Sequence, residues 1–284
     1  MIPESSLRFP DGAHCRIEIP STESPRALRA VLDEAARLGV PVHRTSQGSG
    51  IMMLPDAEIR EMVAMGREAG LEMNLFVGPR ATFDIGAQVF SAAGRSLGLS
   101  LRGADQLRYA LEDVDRAVAL GVRSILVSDL GLLKEMGDRR RAGRLPADLI
   151  IKTSVMMAPC NPVSAKLLED LGADTINTPS DLTVAQLAEI RAAIRVPIDF
   201  YVEAPDNIGG FIRYHELPEL VRAAAPLYIK LGVRNSPDIY PCGGHLEATA
   251  LALSRERVRR ARIACEFLER LAPWAVMSPA PQQC

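Results

Sequence analysis

A rhythm constrains this chain more than any single motif. Short apolar runs, each followed by an amphipathic helical pattern, repeat about eight times along its length. The runs are CRIEI (15–19), PVHRT (41–45), MNLFV (73–77), SILVS (124–128), IIKTS (150–154), TIN (175–177), IDFYVE (198–203) and YIKLG (228–232). Helix signals fill the intervals. Ser24-Pro25 reads as an N-cap with proline at the first helical position, and Leu28, Val31, Leu32 and Ala35 follow as an apolar stripe. Further helices are expected over 55–69, 104–120, 130–142, 162–171, 183–194, 217–224 and 254–271. Gly39, Gly70, Gly121 and Gly172 stand where a helix turns back toward a sheet through a left-handed residue.

Alternating strand and helix with short connections predicts a parallel sheet covered by its helices. The count suits closure into an α/β fold of the (β/α)8, TIM-barrel type. An open doubly wound sheet is the alternative, but no G-x-G-x-x-G follows the first strand. One segment breaks the rhythm: residues 80–103, between the third strand and its helix, read as a long third βα-loop over the barrel mouth. No linker divides the chain, so residues 1–271 read as one domain. The Pro-rich end, 272–284, reads either as a mobile tail or as a docking strap.

Composition narrows the function classes. With 284 residues and a net charge of −2, there is no electrostatic footprint for nucleic acid or a membrane surface. No run approaches the roughly 20 apolar residues of a membrane span, and the amino terminus lacks a signal-type apolar segment. Five scattered cysteines without a C-x-x-C pair suggest reduced thiols and a cytoplasmic location.

Barrel strands alternate between the helix layer and the interior. The apolar residues of each run belong to the helices, which sends Arg16, Glu18, Lys152, Asn177, Asp199, Tyr201, Glu203, Tyr228 and Lys230 inward. Barrels place their chemistry at the carboxyl ends of their strands. Glu203, Lys152, Lys230 and Tyr201 are therefore the candidate catalytic groups. Either lysine suits imine formation or oxyanion stabilisation, with Glu203 or Tyr201 carrying protons. A structural salt-bridge network is the competing explanation for the deeper residues.

The βα-loops are expected to add His43, Arg44, Arg80, Arg234 and Asn235. Together with Asn177 these are candidate substrate ligands, because guanidinium forks bind carboxylates and phosphates. No cofactor is expected. A divalent metal on Glu18, Asp199 and Glu203, with His43, is a weaker option, since no metal-binding motif is present. Cys242 and His245 share one Gly-Gly loop that reads as a turn, with Gly243 and Gly244 available to an anion.

The run AKLLEDLGADTINTPSDLTVAQLAEIRAAIRVPIDFYVEAP (165–205) resembles the core of the U32 peptidase family. On that resemblance Glu203 occupies the family's acidic strand position, and Ser180, Asp181 and Leu182 open the preceding helix. The later LYIKLGVRN fits the same order. The cysteine set that some members use for an iron–sulfur cluster is missing, and Ala204-Pro205-Asp206 replaces the usual His-Gly. The resemblance implies a barrel hydrolase. The residues themselves suit acid/base chemistry on a small anionic, carboxylate-bearing substrate. The alternatives are a Schiff-base or enolate-type lyase or aldolase, and a non-catalytic accessory subunit acting in an oligomer.

Overall fold

The computed structural model describes residues 2–78 and 100–281. Eight parallel strands close into one barrel in sequence order, the first pairing with the last. They are β1 (Cys15–Pro20), β2 (Val42–Ser46), β3 (Glu72–Phe76), β4 (Ser124–Val127), β5 (Ile150–Thr153), β6 (Thr175–Asn177), β7 (Ile198–Glu203) and β8 (Leu227–Leu231). The helices are α1 (Pro25–Leu38), α2 (Asp56–Glu68), α3 (Gly103–Ala119), α4 (Leu130–Arg141), α5 (Pro162–Leu171), α6 (Val184–Ala193), α7 (Leu217–Ala224) and α8 (Glu247–Leu271). The expected third βα-loop falls mostly on 79–99, outside the described residues.

Local chemistry sets the helix ends. The Ser24 hydroxyl accepts from the Ala27 amide to open α1, and Gly39 closes it at φ 63°. Asn161 with Ser164, and Thr183 with Gln186, form reciprocal capping boxes on α5 and α6. Ser180, Asp181 and Leu182 lie in the turn before Thr183 and are held there by Arg213, which donates to the Ser180 and Leu182 carbonyls. Helix α8 starts seven residues before its expected start at 254, because the Ala-rich EATALAL is helical rather than loop.

Ile17, Ile19, Ile125, Ile151, Ile176, Phe200 and Ile229 face the helices and are fully buried. Two pairings carry an irregularity: that of β1 with β2, where His43 is an extra residue opposite the Ile17–Glu18 step, and that of β7 with β8, where β7 has an extra residue between Tyr201 and Glu203. At the first, the His43 ring supplies the missing acceptor, its Nδ1 taking the Ile17 amide at 3.0 Å. The tail is a strap. Met277 pairs with Cys15, Trp274 packs edge-on to His14, and the Ser278 amide donates to the Cys15 carbonyl. The strap lies at the amino-terminal end of the barrel, opposite the mouth. Among the described residues no helix is long and apolar enough to cross a membrane.

Candidate active site

Charged side chains fill the middle of the barrel. Lys152, with no exposed surface, lies between Glu18, its closer partner, and Asp199 at 3.1 Å. Arg44 reaches Asp199 at 2.9 Å, Glu72 at 2.8 Å and Glu18 at 3.3 Å, and its guanidinium stacks on the Tyr228 ring. Lys230 is 3.3 Å from the second oxygen of Glu18, which also accepts from Ser46 at 2.6 Å. Thr175 donates to Asp199. Three cations thus meet three carboxylates, which is how a barrel interior tolerates ionic groups.

Burial alone would raise the Glu18 pKa. Lys152, Lys230 and Arg44 together outweigh it and hold the carboxyl well below the usual carboxylate range. Burial pulls the Lys152 ammonium down to about 8, opposed by Asp199 and Glu18 and reinforced by Lys230 and Arg44.

Above this layer a cavity of about 730 Å3 opens at the carboxyl ends of the strands. Lys230, Asn177 and Tyr201 line its floor, with Ser46, Gln47 and Ser154 beside them. With the Asn177 amide nitrogen donating to the Asp199 carbonyl at 3.1 Å, its oxygen accepts from Lys230 Nζ at 2.8 Å. That nitrogen lies 4.3 Å from the centre of the Tyr201 ring. Lys230 thus spans both regions, paired below and facing the cavity above. Lys152 is sealed beneath it and does not line the cavity.

The other expected site residues go elsewhere. The β7 irregularity turns Glu203 away from the mouth and into the helix layer. There it accepts from the Tyr214 hydroxyl at 2.7 Å and the Arg234 amide at 3.0 Å, and faces Arg260 at 3.4 Å. Arg44 belongs to β2, not to a loop, and is consumed by the buried layer. His43 lies beneath the strap. Its Nδ1 accepts a backbone amide, so Nε2 carries the proton and donates to the Ser278 and Pro279 carbonyls. Arg16 is likewise at that end, bound to Ser278 and Asp11.

At the rim, Arg234 pairs with Asp206 at 3.1 Å, and the Asn235 amide donates to the same carboxylate. Neither Arg234 nor Asn235 lines the cavity. Arg80 lies outside the described residues. The Cys242 amide donates to Ser49, and Gly243 and Gly244 do not line the cavity.

The donor set does not fit a metal. Glu18 and Asp199 give their oxygens to cations and hydroxyls, Glu203 faces another layer, and His43 is at the other end. Among the described residues no group of three or more His, Cys, Asp and Glu is arranged to hold an ion. The described cysteines, Cys15, Cys160, Cys242 and Cys265, are free thiols.

Two contributors escaped the sequence reading. Glu72 opens β3 and balances Arg44. Arg257, from α8, reaches into the cavity wall. Arg257 lies within the helix expected over 254–271, on its buried face with Ser254, Val258 and Ala261.

Peptidase family U32 matches this chain over residues 99–204, from just before α3 to the end of β7. No curated protein matches the chain. Several solved structures align with this chain. A U32 peptidase aligns at 19% identity over 70% of this chain and 73% of its own, with a TM-score of 0.46. A Burkholderia cenocepacia protein described as a lyase/mutase aligns at 14% identity over 90% and 84%, with a TM-score of 0.47. A Coccidioides immitis protein described as a fructose-1,6-biphosphate aldolase aligns at 11% identity over 92% of each chain, with a TM-score of 0.56. At 11% identity the likeness to the last of these is one of fold.

Proposed function

We propose that this U32-type TIM barrel is an enzyme that acts on a small carboxylate-bearing molecule in its mouth cavity, with Lys230 as the central charged group. The observation that carries this reading is the position of Lys230. Its ammonium belongs to the buried ionic layer, yet it also faces the cavity between Asn177 and Tyr201. A cation fixed by Glu18 and Asn177 needs no reorganisation when negative charge develops on a substrate oxygen.

In this reading Lys230 stabilises the oxyanion or enolate, Asn177 orients the ammonium, and the Tyr201 hydroxyl transfers the proton. Amide hydrolysis, which the family name implies, and lyase or isomerase chemistry share that demand for oxyanion stabilisation. Glu203 acts as a brace between the end of β7, the chain before α7, and α8.

The test starts with thermal unfolding against small keto acids, amino acids and short peptides, followed by turnover of any compound that stabilises. Turnover is expected to fall about 100-fold or more in Lys230→Met and to survive in Glu203→Gln. Full turnover in Lys230→Met would sink the reading. Borohydride trapping supplies the second arm. An adduct on Lys230 would replace charge stabilisation by an imine mechanism at the same residue.

A further inference from the structure

The geometry points to Arg257 as the receptor for an oxyanion, a carboxylate or a phosphate monoester, carried by whatever ligand fills the mouth cavity. The inference rests on the reading that this cavity is the working site, but not on any reaction there.

Arg257 projects from the buried face of α8 into the cavity wall and is 5% exposed. A guanidinium offers five N–H donors. Here Nη1 makes one long contact, 3.4 Å to the Ser21 carbonyl, and Nε has no partner. Among the described residues no carboxylate pairs with it. The field of Glu23 reaches it, but the Glu23 oxygens accept from the Gly48 and Ser49 amides and the Ser49 hydroxyl.

Other buried cations are treated differently. Arg44 has three carboxylates, Lys152 has two, and Arg191 donates to the Val196 and Ile194 carbonyls. A buried charge without a counter-ion is costly, and an incoming anion would remove that cost.

The surroundings suit such a ligand. Ser21, held at φ 59°, lines the same wall, and its hydroxyl lies against that of Tyr240. Residue 48 must be glycine for this arrangement, since a Cβ there would stand 2.6 Å from the Tyr240 ring. The planar fork of Arg257 can take two oxygens of one anion. Arg234, the more obvious arginine at this mouth, is already paired with Asp206.

Thermal unfolding of the full chain in potassium phosphate, potassium acetate and potassium chloride at equal ionic strength tests this. Phosphate also stabilises proteins generically, so the readout is the difference between wild type and Arg257→Met. At roughly ten times the dissociation constant, phosphate or acetate is expected to raise the wild-type midpoint by about 2–4 °C more than it raises that of the variant. A larger increment with phosphate marks a phosphate monoester, and a larger one with acetate marks a carboxylate. Equal increments in wild type and Arg257→Met overturn the proposal.

If that variant does not fold, phenylglyoxal labelling of wild type read by mass spectrometry decides. Phosphate or acetate should protect Arg257 selectively, and equal labelling with and without the anions overturns the proposal. Loss of turnover in Lys230→Met concerns the reaction alone, so the two readings fail separately.

Discussion

In the middle of the barrel, Arg44, Lys152 and Lys230 face Glu18, Asp199 and Glu72, and every cation has a carboxylate within 3.3 Å. In the wall of the mouth, Arg257 is nearly as deeply buried but pairs with no carboxylate among the described residues; it has a carbonyl at 3.4 Å and the field of Glu23. The two regions share strands, a core and residue types, and differ in whether the charges are balanced. A balanced layer needs nothing from solution and holds the strands in register. An unbalanced cation beside a cavity keeps binding capacity for something that arrives later. Lys230 stands at the boundary, anchored in the first region and facing the second.

The largest expected effect tests the balanced layer. Glu18→Ala removes the carboxylate shared by Lys152, Arg44 and Lys230 and leaves buried positive charge behind. Breaking a buried pair from one side costs about 3–5 kcal/mol, and urea unfolding would read that loss. Arg257→Met, which strands no carboxylate, should cost far less under the same conditions. If the two variants lose equal stability, Arg257 is as well compensated as the central layer and the contrast fails.

Acid titration sharpens the same point more gently. The Glu18 pKa is lowered in the folded state, so the unfolded chain binds the proton more readily. Its contribution to stability is complete above the unfolded value of about 4.3 and is lost as pH falls below it. The slope from this one group approaches about 1.4 kcal/mol per pH unit. Glu18→Gln should therefore flatten the unfolding free energy between pH 4.5 and pH 3 relative to wild type. An unchanged slope would mean that Glu18 is not the group that carries it.

Much of this was legible in the sequence, because a barrel repeats simple rules. Apolar alternation placed the eight strands to within a residue or so at each end, and the glycines at 39, 70, 121 and 172 all adopt positive φ. The same alternation put Glu18, Lys152, Asn177, Asp199, Tyr201 and Lys230 inside. It failed where the strand itself is irregular. Glu203 keeps the parity of an inward residue, but the slip after Tyr201 turns it to the helix layer, and no residue pattern announces such a slip. His43 and Arg44, expected on a βα-loop, stand inside β2 instead. Which residues stand at which height depends on barrel shear, a property of all eight strands together. Arg257 was missed for another reason: a helical arginine reads as solvated until the face it occupies is known.

The smallest effect concerns the rim, where the contrast between balanced and unbalanced charge should nearly vanish. Arg234 and Asp206 pair at 3.1 Å, but their side chains are 48% and 45% exposed. Water screens both partners, so such pairs contribute less than about 1 kcal/mol. Arg234→Ala is expected to shift stability by no more than that. It should also leave the phosphate or acetate increment of wild type intact, since Arg234 does not line the cavity. That variant separates two explanations of anion binding at this mouth. If an exposed arginine merely collected anions at the rim, Arg234→Ala would abolish the increment and Arg257→Met would not. If burial without a counter-ion is what makes a receptor, the dependence reverses, and the better-hidden arginine governs binding.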